Sequence, residues 1–253
     1  FLGVREYGFW QLYVFYSGYV GFFHFGWIDG IYLKIGGEEY DNLDKKNLGS
    51  QFYYLFVFQL ILALALSTYT AVFIPEINRK IIWYATASML IISNLRNFIL
   101  FVLQSTNRIK EYASLSRNDR YIYLISSMCY LLLGGRDFKV LIVLDVMSRL
   151  LITIWGIGQI KDIVMSKNNS FKLTILEIKD NIRVGSNLML GNIASMLILG
   201  VSRFFVERHW SIETFGKLSF ALNISNMFMI FINSVSIVLY PVLRRSEKGN
   251  LPN

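Results

Sequence analysis

Seven long runs of mainly apolar residues, nearly free of charge, constrain this chain more than any other feature. They are Tyr7 to Ile28, Asn47 to Pro75, Ile81 to Asn107, Tyr121 to Gly135, Phe138 to Ile160, Val184 to Ser202, and Leu218 to Leu243. About 20 apolar residues in an α-helix span the hydrocarbon core of a bilayer. A backbone in lipid must satisfy its own hydrogen bonds, so only helices or closed barrels cross. The runs are too long for the roughly ten-residue alternating strands of a barrel. The expectation is an all-α, polytopic transmembrane helix bundle with seven spans. The fourth and fifth are the least separated, by Gly134-Gly135-Arg136-Asp137.

Composition agrees. Charged residues make up 17% of the 253, against about 25% in soluble domains. One cysteine and two histidines exclude a disulfide framework and a Cys/His metal cluster. A net charge of +8 would suggest nucleic acid in a soluble protein. Here the basic residues sit between apolar runs, as in loops at a membrane surface. No nucleic-acid partner is expected; membrane lipids are.

The loops are asymmetric. Lys34, Lys45 and Lys46, then Arg108, Lys110, Arg117 and Arg120, then Lys161, Lys167, Lys172, Lys179 and Arg183, then Arg244, Arg245 and Lys248 fall on one side. These fifteen face eight on the other side, so the first side is expected to be cytoplasmic. That frame puts Phe1 outside. With no initiating Met and no leader pattern, the chain reads as an internal fragment preceded by one further helix. Phe171, Ile175, Ile178 and Ile182 repeat at helical spacing among charges, which predicts a basic amphipathic linker helix. It would lie in the cytoplasmic interface or pack on protein.

Charges inside a span are costly and usually face a cavity or a partner. Arg96 lies mid-run in the third span. Thr86, Ser93, Asn97 and Gln104 share one face there and predict the wall of a polar cavity, or else a hydrogen-bonded helix seam. Asp145 and Arg149 are one turn apart in the fifth run, as a self-neutralising pair or an ion switch. Asp29 ends the first run within Gly26-Trp27-Ile28-Asp29-Gly30, whose glycines four apart permit close helix approach. It reads as a helix-end cap or a coupling residue. His24 reads as a hydrogen-bonded core histidine, Cys129 as buried, and Glu207, Arg208 and His209 as solvated. Asn192 and Arg203 in the sixth run, and Asn223 and Asn226 in the seventh, supply groups suited to sugar hydroxyls or to interhelical bonds. There is no G-x-x-x-x-G-K-[ST], H-E-x-x-H or D-x-D, so the chain encodes no phosphate-loop ATPase or recognisable metal-assisted chemistry.

Three segments carry a family resemblance. The first joins Tyr7-Gly8-Phe9-Trp10-Gln11 to Gly26-Trp27-Ile28-Asp29-Gly30-Ile31-Tyr32-Leu33-Lys34-Ile35-Gly36-Gly37. The second runs from Asn187-Leu188-Met189-Leu190-Gly191-Asn192 through Arg203-Phe204-Phe205 to His209-Trp210-Ser211-Ile212-Glu213-Thr214-Phe215-Gly216. The third is Ser234-Val235-Ser236-Ile237-Val238-Leu239-Tyr240-Pro241. Together they resemble bacterial polysaccharide-biosynthesis transporters, including Wzx-type O-antigen flippases of the multidrug/oligosaccharidyl-lipid/polysaccharide superfamily.

The resemblance implies a two-lobed transporter of 12–14 helices in the bacterial cytoplasmic membrane. It would flip a polyprenyl-diphosphate-linked oligosaccharide outward by alternating access, and would be no enzyme. Residues 1–160 would be the remainder of the first lobe, 161–183 the linker and 184–253 the start of the second lobe. Substrate contacts would come from Arg96, Arg149, Arg203, Asn97, Asn192, Asn223 and Asn226. Asp29 and Asp145 would serve proton or sodium coupling, with no cofactor and no metal. Other glycan-assembly membrane proteins are possible partners. The rival expectations are a drug or small-cation exporter of the same superfamily and an integral-membrane glycan polymerase or ligase.

Overall fold

The computed structural model describes residues 2–166 and 169–229. Among them are nine α-helices and no strand. The helices are α1 (Val4–Tyr19), α2 (Trp27–Lys34), α3 (Lys45–Phe73), α4 (Ile77–Ser105), α5 (Ile109–Leu132), α6 (Phe138–Gln159), α7 (Lys161–Val164), α8 (Phe171–His209) and α9 (212–229). Four of them, α3, α4, α6 and α8, are long and apolar enough to cross a membrane. The chain is therefore an all-α bundle with membrane-spanning character. The end of the seventh run, the Ser234 to Pro241 segment, the basic tail and Lys167 lie outside the described residues.

Helix ends follow local chemistry. Asp44 caps α3 by accepting the Asn47 N–H at 3.0 Å. Pro75 ends α3 by forcing Ile74 into an extended conformation. Asp137 caps α6, and Gly134 supplies the left-handed turn before it.

Helix α4 is the axis of the bundle, packed by α1, α2, α3, α5 and α6. Two apolar layers stack along it. One holds Phe9, Leu12, Tyr13, Met89, Phe138 and Phe215; the other holds Ile28, Leu55, Phe98, Leu103, Leu115 and Ile152. Asn94 and Arg96 on α4, and Asp145 on α6, fall between these layers in sequence. The outward faces of α3 and α8 expose Ile61, Leu64, Val72, Leu190, Ile198 and Phe204, as hydrocarbon contact allows.

The first run is not one helix. Helix α1 tightens into a 3₁₀ turn over Val20–His24, breaks at left-handed Phe25 and Gly26, and restarts as α2. The break leaves carbonyls without helical partners. Neighbouring helices supply them: Asn94 Nδ2 donates to the Val20 carbonyl at 2.9 Å, and Gln59 Nε2 to that of Phe23 at 3.0 Å. The break lets Gly26 and Gly30 meet Gly185 of α8 backbone to backbone. A Cβ on Gly26 would fall 2.8 Å from the Ser186 nitrogen, and one on Gly30 2.7 Å from the Asn181 Cα. The close approach expected of the Gly26/Gly30 pair is thus present.

The amphipathic linker segment also differs from a free interfacial helix. It runs without interruption into the sixth apolar run as α8, so no break falls at 183–184. Its inner face packs on α2, and Asn181 and Trp27 both donate to Gln51 Oε1 of α3, at 2.6 and 2.8 Å. The loop expected between the third and fourth runs is mostly helix, because α5 begins at Ile109. Arg117 and Arg120 therefore belong to a helix, which changes their place in the loop charge count. Cys129 is exposed, and Glu207 is buried against Arg79, contrary to expectation.

The basic loops gather at one end. Asp162 of α7 meets Lys45 at 2.7 Å and accepts from the Tyr40 hydroxyl at 2.6 Å. Arg108 lies over the Tyr40 ring and donates to the Gln159 carbonyl at 3.0 Å. Lys34 pairs with Asp180 and Glu177. At the other end Glu6 accepts the Phe138 N–H, and Arg79 joins Glu207.

Candidate functional site

Helices α1, α4, α5 and α6 line a half-open cavity of about 470 Å³ with five charged side chains in its wall. Arg96 comes from α4, Asp119 and Arg120 from α5, and Asp145 and Arg149 from α6. Tyr123 and Trp10 complete the polar rim. Helical spacing puts Asp145 and Arg149 on one face, and the fourth-residue step joins them: Arg149 Nε donates to Asp145 Oδ1 at 3.1 Å. Tyr13 of α1 donates to Asp145 Oδ2 at 2.7 Å. Both Asp145 oxygens are occupied.

The second pair is less complete. Arg96 Nη2 stands 2.8 Å from Asp119 Oδ2, with both side chains largely buried. Arg96 Nε and Asp119 Oδ1 have no hydrogen-bond partner among the described residues. Arg120 is exposed and makes no ion pair among them. Three guanidiniums thus face two carboxylates. That excess favours an oxyanion, which guanidinium groups bind through paired N–H donors.

A second cavity, of about 450 Å³, opens at the helix break. Asp29, His24, Asn97, Asn192 and Ser195 line it. His24 Nδ1 accepts the Gly26 N–H at 3.1 Å and lies 3.7 Å from Asp29 Oδ2. This is the bonded core histidine the sequence suggested. Asp29 Oδ2 is buried without a donor among the described residues.

Arg203 occupies a third place. Its guanidinium sits between Phe15 and Phe215, 5.1 and 5.4 Å from their centroids. It donates to Gln11 Oε1 at 3.3 Å and Ser219 Oγ at 3.0 Å. Gln11 reaches the Tyr7 hydroxyl, to which Asn223 also donates. Asn226 is exposed on α9.

The nine candidates therefore divide. Arg96, Arg149 and Asp145 share the charged cavity; Asp29, Asn97 and Asn192 share the cavity at the break; Arg203 and Asn223 belong to a hydrogen-bonded chain elsewhere; Asn226 is exposed on α9 and lines neither cavity. Arg203 does not line the cavity of the other two arginines. The expected polar wall on α4 also separates: Asn97 lines the break cavity, whereas Thr86 bonds the Ile82 carbonyl and borders an apolar cavity between α1, α3, α4 and α8. Asn94 is a seam residue, bonded to Val20, Leu90 and Gln59.

Sequence reading missed Asp119, Arg120 and Tyr13 as site residues. Asp119 and Arg120 lie within a charged stretch, Arg117-Asn118-Asp119-Arg120, that reads as loop. The available signal was helical spacing: Ser116, Asp119, Arg120 and Tyr123 fall on one face. No family model, curated protein or solved structure matches this chain.

Proposed function

We propose that this chain is part of a membrane transporter that carries an anionic, lipid-linked oligosaccharide across the bilayer by alternating access. The substrate class is a polyprenyl-diphosphate-linked glycan moving to the outer leaflet of a bacterial cytoplasmic membrane. The observation that carries the reading is the excess of guanidinium in the charged cavity: Arg96, Arg120 and Arg149 against Asp119 and Asp145. Ionisable side chains at membrane depth usually mark a substrate or ion path. A diphosphate placed there gains paired hydrogen bonds that a lone lipid environment lacks.

The break cavity supplies groups for the glycan. Asn97, Asn192 and Ser195 donate and accept, as sugar hydroxyls require. Asp29 and Asp145 are the candidate coupling carboxylates. The resemblance of the chain to polysaccharide-biosynthesis transporters supplies the direction and the lipid carrier. An exporter of cationic drugs would need a net acidic cavity, which this one is not.

The test is surface glycan in cells whose only copy of the intact protein carries Arg120→Ala or Arg149→Gln. Loss of surface glycan at normal protein level is the expected result. Wild-type glycan in both variants would remove the charged cavity from the transport path.

A further inference from the structure

The first turns of α8 carry an outward face that no described residue covers. Thr174, Ile178, Asn181 and Gly185 are buried on the side that packs against α2 and α3. On the opposite side Lys172, Leu176, Lys179 and Arg183 are exposed and fall within about 60° of one another around the helix. The acidic residues of the segment are used elsewhere: Lys34 of α2 reaches Glu177 at 3.5 Å and Asp180 at 2.5 Å. Lys172, Lys179 and Arg183 make no ion pair among the described residues. Exposed Leu173, Leu176 and Val184 lie among them. Water alone does not favour that mixture, whereas the boundary between headgroups and acyl chains does.

Helix length sets the depth of each basic residue. Between Arg183 and Arg203 lie 19 residues without a charge. The two arginines are therefore about 30 Å apart along α8, the thickness of the hydrocarbon core. Arg183 stands at the edge of that core. Lys179 lies about 6 Å further out, in the headgroup layer, and Lys172 about 16 Å out, beyond it. Residues 230–253 are no complement to this face, because they hold Arg244, Arg245 and Lys248 against Glu247 alone. We propose that the stripe at the foot of α8 binds anionic phospholipid, with Arg183 and Lys179 on the lipid phosphate and Leu176 in the acyl boundary. Arg183 supplies paired N–H donors and Lys179 a point charge. Lys172 adds only a longer-range attraction, screened by salt. Lipid binding here needs α8 to cross the bilayer and needs no transport.

Native mass spectrometry of the purified intact protein in neutral detergent counts bound dioleoyl phosphatidylglycerol and dioleoyl phosphatidylcholine. The anionic lipid should bind about 20-fold more tightly, roughly fivefold for each of two basic residues, and the preference should shrink at high salt. Arg183→Gln and Lys179→Gln should each lose about fivefold, and Lys172→Gln less than about twofold. Lys217→Gln, an exposed basic residue at the other end of the bundle, should lose nothing. Equal binding of the two lipids, a preference that survives Arg183→Gln combined with Lys179→Gln, or an equal loss in Lys217→Gln would each overturn the assignment. Glycerol phosphate that displaced the lipid at equal concentration would make the stripe a site for free anions and overturn the commitment to lipid. Should the double variant not fold, the wild-type preference and its salt dependence still decide.

Discussion

The Arg96 guanidinium of α4 and the Asp119 carboxylate of α5 stand 2.8 Å apart inside the bundle, and each keeps one buried polar atom without a partner among the described residues. The pair joins two helices, yet it is left able to take up another ligand. Removing one member of a buried pair leaves an uncompensated charge. Arg96→Ala should therefore destabilise the protein by about 3–5 kcal/mol. The double change Arg96→Met with Asp119→Leu should recover most of that loss. Thermal unfolding in detergent, run as a double-mutant cycle, measures both. Additive effects of the two single changes would show that the residues do not act as a pair.

Arg120 gives the opposite expectation. It is exposed and has no carboxylate partner among the described residues. Arg120→Ala should change stability by less than about 0.5 kcal/mol while weakening binding of a diphosphate diester. Unfolding curves and calorimetry on the same preparation separate the two effects.

The approach of α2 to α8 has no room for a methyl group. Gly30→Ala would drive a Cβ into the Asn181 backbone, and Gly185→Ala would drive one into Gly26 and Gly30. Overpacking of this kind costs about 1–3 kcal/mol. Gly191→Ala, on the same helix with no described residue near its Cβ, should be neutral or stabilising by up to about 1 kcal/mol. Unfolding temperatures of the three variants give the comparison. Equal behaviour would contradict the close contact.

How much of this was open to sequence reading depended on whether a residue's neighbours in sequence matched its neighbours in space. Arg96 stood out because a lone charge interrupts an apolar run. Asp119 did not, because it sits among Arg117, Asn118 and Arg120 in a stretch polar enough to read as loop. Its helix persists because Asp119 turns inward to Arg96. The break at Phe25 and Gly26 was hidden for a related reason. Nothing local forces it; Gln59 and Asn94, on two other helices, donate to the exposed carbonyls. The boundary expected at 183–184 is absent for the same reason: Gly185 contacts α2 inside a continuous helix. The all-α architecture needed only the apolar runs, since their length and lack of charge admit one secondary structure in lipid.

Acid should loosen the loop end of the bundle through Asp162. Partial burial opposes ionisation of this carboxyl, but hydrogen bonds from Lys45 and Tyr40 and the Lys45 charge hold it below the usual carboxylate range. A folded value below the unfolded value of about 3.9 stabilises above that pH. The contribution is lost as pH falls through the lower folded value. Asp162→Asn should cost at most about 1 kcal/mol at neutral pH, because the pair is substantially exposed. The difference from wild type should vanish at strongly acidic pH. Unfolding midpoints across an acid titration read this directly; a gap that widens on acidification would reverse the sign.

Transport itself is the claim on which the reading of the cavities depends. The direct measurement is flipping of a fluorescent polyprenyl-diphosphate-linked oligosaccharide in vesicles that contain only the purified intact protein, read by an external quencher that cannot cross the bilayer. Label in both leaflets should be quenched in wild-type vesicles, and label in the outer leaflet alone in protein-free vesicles and in vesicles bearing Arg149→Gln. Quenching confined to the outer leaflet with folded wild-type protein would contradict the transporter reading.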